Sequence, residues 1–132
     1  MARKLILDTN VLIDLHRGGI DPSKYDDDEL AIAAITVAEF RVGIELAVSA
    51  DQAANRARAL DAIIGAVDVL DYTPHTAAIH AQLLAHTRRL DRPRGVHDLI
   101  IAAHAAETGR SVVSNDAAAR FGDLPGVVAA LP

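Results

Sequence analysis

The chain has 132 residues, 51% hydrophobic, 23% charged and only 3% aromatic, so one ordinary core must be built from aliphatic side chains. It has no cysteine, which excludes a disulfide framework, thiolate chemistry and any Cys-based zinc site and fits a reducing compartment. Its net charge of −5 argues at first against a polyanionic partner, but acid gathers at Asp26–Glu29 while Arg88, Arg89, Arg92 and Arg94 crowd a short segment.

Residues 4–7 read as a short buried strand ending at Asp8. Val11-Leu12-Ile13 and Leu15 start a helix that Gly18-Gly19 breaks after Arg17. Residues 20–29 are polar, carry Pro22, and predict a loop with one helical turn. Leu30 to Ile35 has strand length, and Thr36-Val37-Ala38-Glu39 has the form of a capping box opening a helix to Val48. Asp51 is expected to cap a further helix to Ile64, ahead of Gly65. Val67 to Leu70 is a third strand, and Pro74 suits the first position of a long helix to Leu90. After the loop 91–95, a helix runs from His97 to Thr108 and closes at Gly109. Residues 111–113 form a fourth strand, 117–121 a helical turn, and 127–129 a fifth strand.

Strands alternating with helices imply right-handed crossovers, hence an α/β domain over residues 1–132 with a mostly parallel sheet covered on both faces. No repeat, linker or domain boundary interrupts it. The N-terminal apolar triplet Leu5-Ile6-Leu7 is too short for a signal-peptide core, and no run reaches membrane-span length. A soluble, cytoplasmic protein is expected.

Ligands in such sheets gather at the carboxyl ends of the strands. Asp8 and Asp116 follow strands there, while Glu39 and Asp98 fall in the first turns of helices. Four converging carboxylates repel one another, and a hard divalent cation resolves the repulsion, because Mg2+ and Mn2+ prefer oxygen donors shared with phosphate. Each acid also has a plainer reading. Glu39 would complete the box with Thr36, and Asp98 and Asp116 would sit well near helix N-termini. Asp8, directly behind three aliphatic residues, needs partners on any reading.

The segment Leu5-Ile6-Leu7-Asp8-Thr9-Asn10-Val11-Leu12-Ile13 resembles the opening motif of PIN-domain nucleases. Thr36 to Gly43 is similar to their second motif, Val96 to Ala105 to the third, and Val112 to Asp116, with Phe121 and Leu124-Pro125-Gly126 behind, to the last. Length and motifs most resemble toxins of the VapC type, from bacterial type II toxin–antitoxin pairs. The resemblance implies a PIN-like three-layer α/β/α fold with about five strands, and a ribonuclease with Mg2+ or Mn2+ held by Asp8, Glu39, Asp98 and Asp116. It also implies Thr9, Asn10 and Ser114 as supporting residues, a homodimer, and a cognate antitoxin. The chain departs from many relatives in one place: Ala119-Arg120 precede Phe121 where an acid is usual, which leaves Asp116 as the matching carboxylate.

Arg88, Arg89, Arg92 and Arg94 lie just before Asp98 and are candidates to grip an RNA backbone; the alternative is a solvated helix end. The six histidines include no His-x-x-x-His pair with an intervening Glu, so zinc is not expected, although His97 adjoins Asp98. Two rivals stand beside the nuclease reading. A haloacid-dehalogenase-type phosphatase would use Asp8, but Asn10 replaces its second Asp and no Lys follows Lys24. A non-catalytic PIN-like RNA-binding module would normally have lost one or more acids, and this chain keeps all four.

Overall fold

The computed structural model describes residues 2–132. In chain order the elements are β1 (Lys4–Leu7), α1 (Thr9–Arg17), β2 (Glu29–Ala33), α2 (Ala34–Glu45), α3 (Ala50–Ala66), β3 (Asp68–Leu70), α4 (Pro74–Arg89), α5 (Val96–Thr108), β4 (Ser111–Val113) and β5 (Val128–Ala130). Short 3-10 turns cover Pro22–Tyr25, Ala117–Ala119 and Phe121–Asp123.

The five strands form one parallel sheet in the order β3-β2-β1-β4-β5. Successive side chains of a strand face opposite ways, so β1 feeds two cores. Leu5 and Leu7 pack with Val11, Leu12, Phe40 and Leu60 of α1, α2 and α3. Ile6 packs with Leu83 of α4 and with Leu99, Ile101 and Ala102 of α5. Both faces are thus covered, as a parallel sheet requires, and the three layers anticipated from the alternation are present. Among the described residues no helix is long and apolar enough to cross a membrane.

Several boundaries differ from the expectation, and one difference changes the site. The second strand stops at Ala33 and α2 starts at Ala34, with Ala33 in the cap position and no side-chain cap. Thr36 is therefore the third residue of the helix and fully buried, and Glu39 lies beyond the first turn; the expected capping box does not form. Alanine supplies the helix entry at Ala34, since it has the highest helix propensity. Helix α3 is capped by Ser49, which accepts from the Gln52 backbone N–H at 3.1 Å, and Asp51 sits in the first turn instead. It also runs through Gly65, and β3 and β5 each begin one residue later than expected. Pro74 and Gly109 behave as anticipated, Pro74 opening α4 and Gly109 closing α5 at φ 66°.

The strand order runs outward from β1 in both directions, so β1 and β4 flank the point where the winding reverses. Crevices outside the carboxyl ends of strands at such points are where open α/β sheets bind ligands. The Asp8 backbone N–H donates to the Val113 carbonyl at 2.9 Å, carrying the ladder one step past β1 and setting Asp8 beside Ser114.

Candidate active site

Asp8 ends β1 and caps α1, and it is 5% exposed. Three donors hold its carboxylate: the Thr9 backbone N–H on Oδ1 at 2.8 Å, and Ser114 Oγ at 2.7 Å and Asn10 Nδ2 at 3.3 Å on Oδ2. Burial nevertheless pushes its pKa up; the Ser114 and Thr9 bonds oppose this, and Glu39 and Asp116 add to it. Asn10 Oδ1 accepts from the Asn115 N–H at 3.1 Å, and Ser114 Oγ accepts from the Asp116 N–H at 2.9 Å. The Thr9 backbone and the Asn10 and Ser114 side chains thus fix Asp8, and Asn10 and Ser114 also hold the loop that carries Asp116.

Glu39 is held from two sides. Thr9 Oγ1 donates to its Oε1 at 3.0 Å, with the buried Thr36 hydroxyl 3.4 Å from the same Thr9 oxygen, and His97 Nδ1 lies 3.3 Å from Oε2. Thr36 precedes Glu39 by three residues and so lies on the same helix face. Its contact with the β1–α1 junction, rather than capping, is what the Thr-x-x-Glu pattern encodes here.

Asp98 is the third residue of α5 and half-buried, and among the described residues no side chain or backbone group donates to its carboxylate. Burial raises its pKa most, followed by Asp8, Asp116 and Glu39, with His97 opposing. Gly95 makes room for it: a Cβ at that position would come within 3.0 Å of Asp98 Oδ2. Asp116 is exposed and caps the turn Ala117–Ala119, its Oδ1 accepting from the N–H groups of Ala118 at 3.0 Å and Ala119 at 3.3 Å. The plain capping reading is thus realised for one oxygen of Asp116, while its charge still reaches Asp8 and Asp98.

The four acids share one edge and one electrostatic field. They do not close on one point: among the described residues no three His, Asp or Glu side chains stand at ligand distance of a common centre. The donor set is hard oxygen throughout, two of its members are driven toward their protonated forms, and Asp98 has open lone pairs; these features fit a small divalent cation and no softer metal.

The arginines divide. Arg94 donates from Nη1 to the carbonyls of Ala119 and Arg120, the latter at 2.9 Å, so it ties the loop before Asp98 to the turn that Asp116 caps. Its Nη1 is engaged by backbone, a structural duty that the sequence reading did not foresee. Arg88, Arg89 and Arg92 are exposed. Sequence reasoning also missed the His97 contact with Glu39 and the bond from Asn115 Nδ2 to Asp14, which brace the same edge. A cavity of about 610 Å³ opens beside Glu39, lined by Ile13, His16, Arg17, Phe40 and Arg56.

The PIN domain family model matches residues 5–125. The chain is 31% identical over 111 residues to Ribonuclease VapC5 of Mycobacterium tuberculosis, covering 84% of this chain and 82% of that one. It is 27% identical over 128 residues to the tRNA(fMet)-specific endonuclease VapC of Salmonella typhimurium, with 94% of each chain covered. Among solved structures it resembles the DNA-bound VapBC from Salmonella typhimurium, with a TM-score of 0.85 and 26% identity over 99% of this chain and 98% of that one. The VapBC2 structure from Rickettsia felis shares the fold at TM-score 0.83 and 19% identity, over 97% and 98%. The acid-lined edge of a β3-β2-β1-β4-β5 parallel sheet and the match over nearly the whole chain agree: the chain belongs to the PIN domain family.

Proposed function

We infer that the chain is a metal-dependent endoribonuclease, the toxin of a type II toxin–antitoxin pair, acting with Mg2+ or Mn2+. The observation that carries this reading is the shared field of Asp8, Glu39, Asp98 and Asp116 at the switch point of the sheet. Relatives named as ribonucleases and as an RNA-specific endonuclease support the substrate class. When bound, the cation would screen phosphate charge and lower the pKa of water at the site.

Asp8, Glu39, Asp98 and Asp116 would hold that cation. Asp8 is the fixed member, since its three donors leave it one orientation. Glu39 is steadied by Thr9 and His97 and is free to exchange the His97 contact for a stronger one. Asp98, with no donor to lose, forfeits nothing on binding a cation. The phosphatase alternative needs an acid where Asn10 donates to Asp8, and a late Lys that the chain lacks.

Solved neighbours described as VapBC toxin–antitoxin complexes support an antitoxin partner. The carboxylate edge favours a basic inhibitory segment that sets an Arg or Lys among the four acids, with apolar helix surface around residues 37–64 receiving the rest. A homodimer is the expected free form. The deciding test incubates the purified chain with single-stranded RNA in Mg2+, in Mn2+ and in EDTA. Cleavage with either metal and none in EDTA is expected, and cleavage undiminished in EDTA would overturn the mechanism.

A further inference from the structure

A second cavity, of about 320 Å³, lies where the C-terminal end of α4 meets the start of α5. Leu84, Leu99 and Pro93 line its apolar part and Arg88, Asp91 and Arg92 its polar part, with Arg94 closing one side. The cavity is joined to the carboxylate edge through Arg94, which lines it and bonds the carbonyls of Ala119 and Arg120 in the turn that Asp116 caps. Its wall is set before any ligand arrives. Asp91 takes a left-handed φ of 50°, its N–H donates to Arg88 O at 3.1 Å, and the Arg92 N–H donates to Thr87 O at 2.9 Å. That is the two-bond closure that ends a helix firmly, and it fixes Arg88 and Arg92 around one opening.

Resting on the nuclease reading above, we propose that this cavity is a nucleotide subsite for single-stranded RNA. It receives an unstacked base next to the scissile phosphate while Arg88 and Arg92 hold the adjoining phosphates. The volume lies at the lower end of small-ligand sites, which suits one nucleotide rather than a duplex. An apolar floor beneath planar guanidinium groups suits a base, because arginine stacks on base faces and also forks onto phosphate oxygens. Arg88 and Arg92 are exposed and enter no ion pair among the described residues, so both are available. Arg94 already commits its Nη1 to two backbone carbonyls, so Arg88 and Arg92 are the freer cations of the lining. A polyanion is the occupant these charges favour, and duplex RNA is excluded because its bases are not free to enter.

Two arms test it. Binding of a fluorescent single-stranded RNA in EDTA, over a series of NaCl concentrations, is compared for wild type, Arg88→Ala, Arg92→Ala, the double variant and the remote control Arg58→Ala. Each site variant should weaken binding about tenfold, the value of one charge-assisted bond, and lower the salt slope by about 0.7. Arg58→Ala should do neither. In the second arm, RNA lacking the base beside the mapped cleavage position should be cut about tenfold less efficiently by wild type, with little added loss in the double variant. Wild-type affinity and salt slope in both single variants would overturn the subsite, and an unchanged rate on the abasic RNA would remove the base from it. Failure of wild type to cleave any RNA with metal would sink the nuclease reading instead, while the binding arm would still decide whether the cavity holds RNA.

Discussion

Two regions of this molecule bury ionisable side chains, and they do so with opposite consequences. At the sheet edge Asp8 and Asp98 are held with raised pKa values by burial and by their acidic neighbours. Between α4 and α5, His104 is 1% exposed, Tyr72 packs edge-on against both His80 and His104, and burial lowers both histidine pKa values. At pH 7 a histidine so placed is neutral and costs little. For the two aspartates burial and like charge work in the same direction, disfavouring the ionised form that Asp8's three donors and, for Asp98, His97 favour. Burial of neutral rings thus meets no opposing charge between the helices, whereas at the edge burial and acidic neighbours act together on the same carboxylates.

The largest effect should come from the carboxylates of the edge. Asp8→Ala and Asp98→Ala are each expected to lower RNA cleavage by more than about 100-fold, exceeding the usual cost of losing a group that only orients a ligand. Asp98→Asn should at the same time raise the melting temperature of the metal-free protein, because a repelled charge is removed without leaving a cavity. Thermal unfolding in EDTA is the measurement; a lower melting temperature for Asp98→Asn would mean that the edge is not under charge stress. Glu39→Gln comes next. Gln keeps the oxygen that Thr9 Oγ1 donates to, so the variant should fold like wild type and lose about 10–100-fold in activity. An active Glu39→Gln protein would reduce the cluster to three acids.

A smaller loss is expected at Arg94, whose charge is spent on backbone rather than on the acids. Arg94→Ala frees two carbonyls of the turn behind Asp116 and should cost about 1–3 kcal/mol of stability. Cleavage should fall about tenfold through weakened Mn2+ affinity, with RNA affinity in EDTA unchanged. Titration calorimetry with Mn2+ separates the two; weaker RNA binding with normal Mn2+ binding would return Arg94 to the RNA-contacting set.

The sequence made the elements and the two best-placed acids legible because their signals are local. An apolar triplet ending in Asp8 and an Asp in the first turn of an Ala-rich helix need only a few neighbours to interpret. Glu39 shows where local reading stops. Thr-x-x-Glu is the same pattern whether its Thr caps a helix or stands three residues inside it, and only the packing of Thr36 against Thr9 distinguishes the two. The backbone role of Arg94 escaped for the same reason: its partners, Ala119 and Arg120, lie more than twenty residues away, and backbone carbonyls carry no side-chain signature. The distant members of the site, His97 on Glu39 and Asn115 on Asp14, became visible only once the sheet order had joined β1, β2 and β4.

The smallest effect separates the two regions by the sign of their pH dependence in metal-free protein. His104 and His80 have folded pKa values below the ordinary 6.5, so the unfolded chain binds more protons there. Their contribution is complete above 6.5 and is lost as pH falls through that value toward the lowered folded ones. Asp8 and Asp98 have folded pKa values above the ordinary 3.8; their stabilising contribution is complete below 3.8 and is lost as pH rises through the raised values. Denaturant midpoints in EDTA from pH 4 to 8 should therefore show opposed limbs, one for each region. His104→Leu fills a similar volume, removes the unpartnered Nε2, and should flatten the limb below 6.5 while leaving the acid limb as it was. Asp98→Asn should do the converse. If instead the fall below 6.5 survives His104→Leu and also the further replacement of His80, the histidines between α4 and α5 are not what the protein protects from protons, and the contrast between its two buried regions fails.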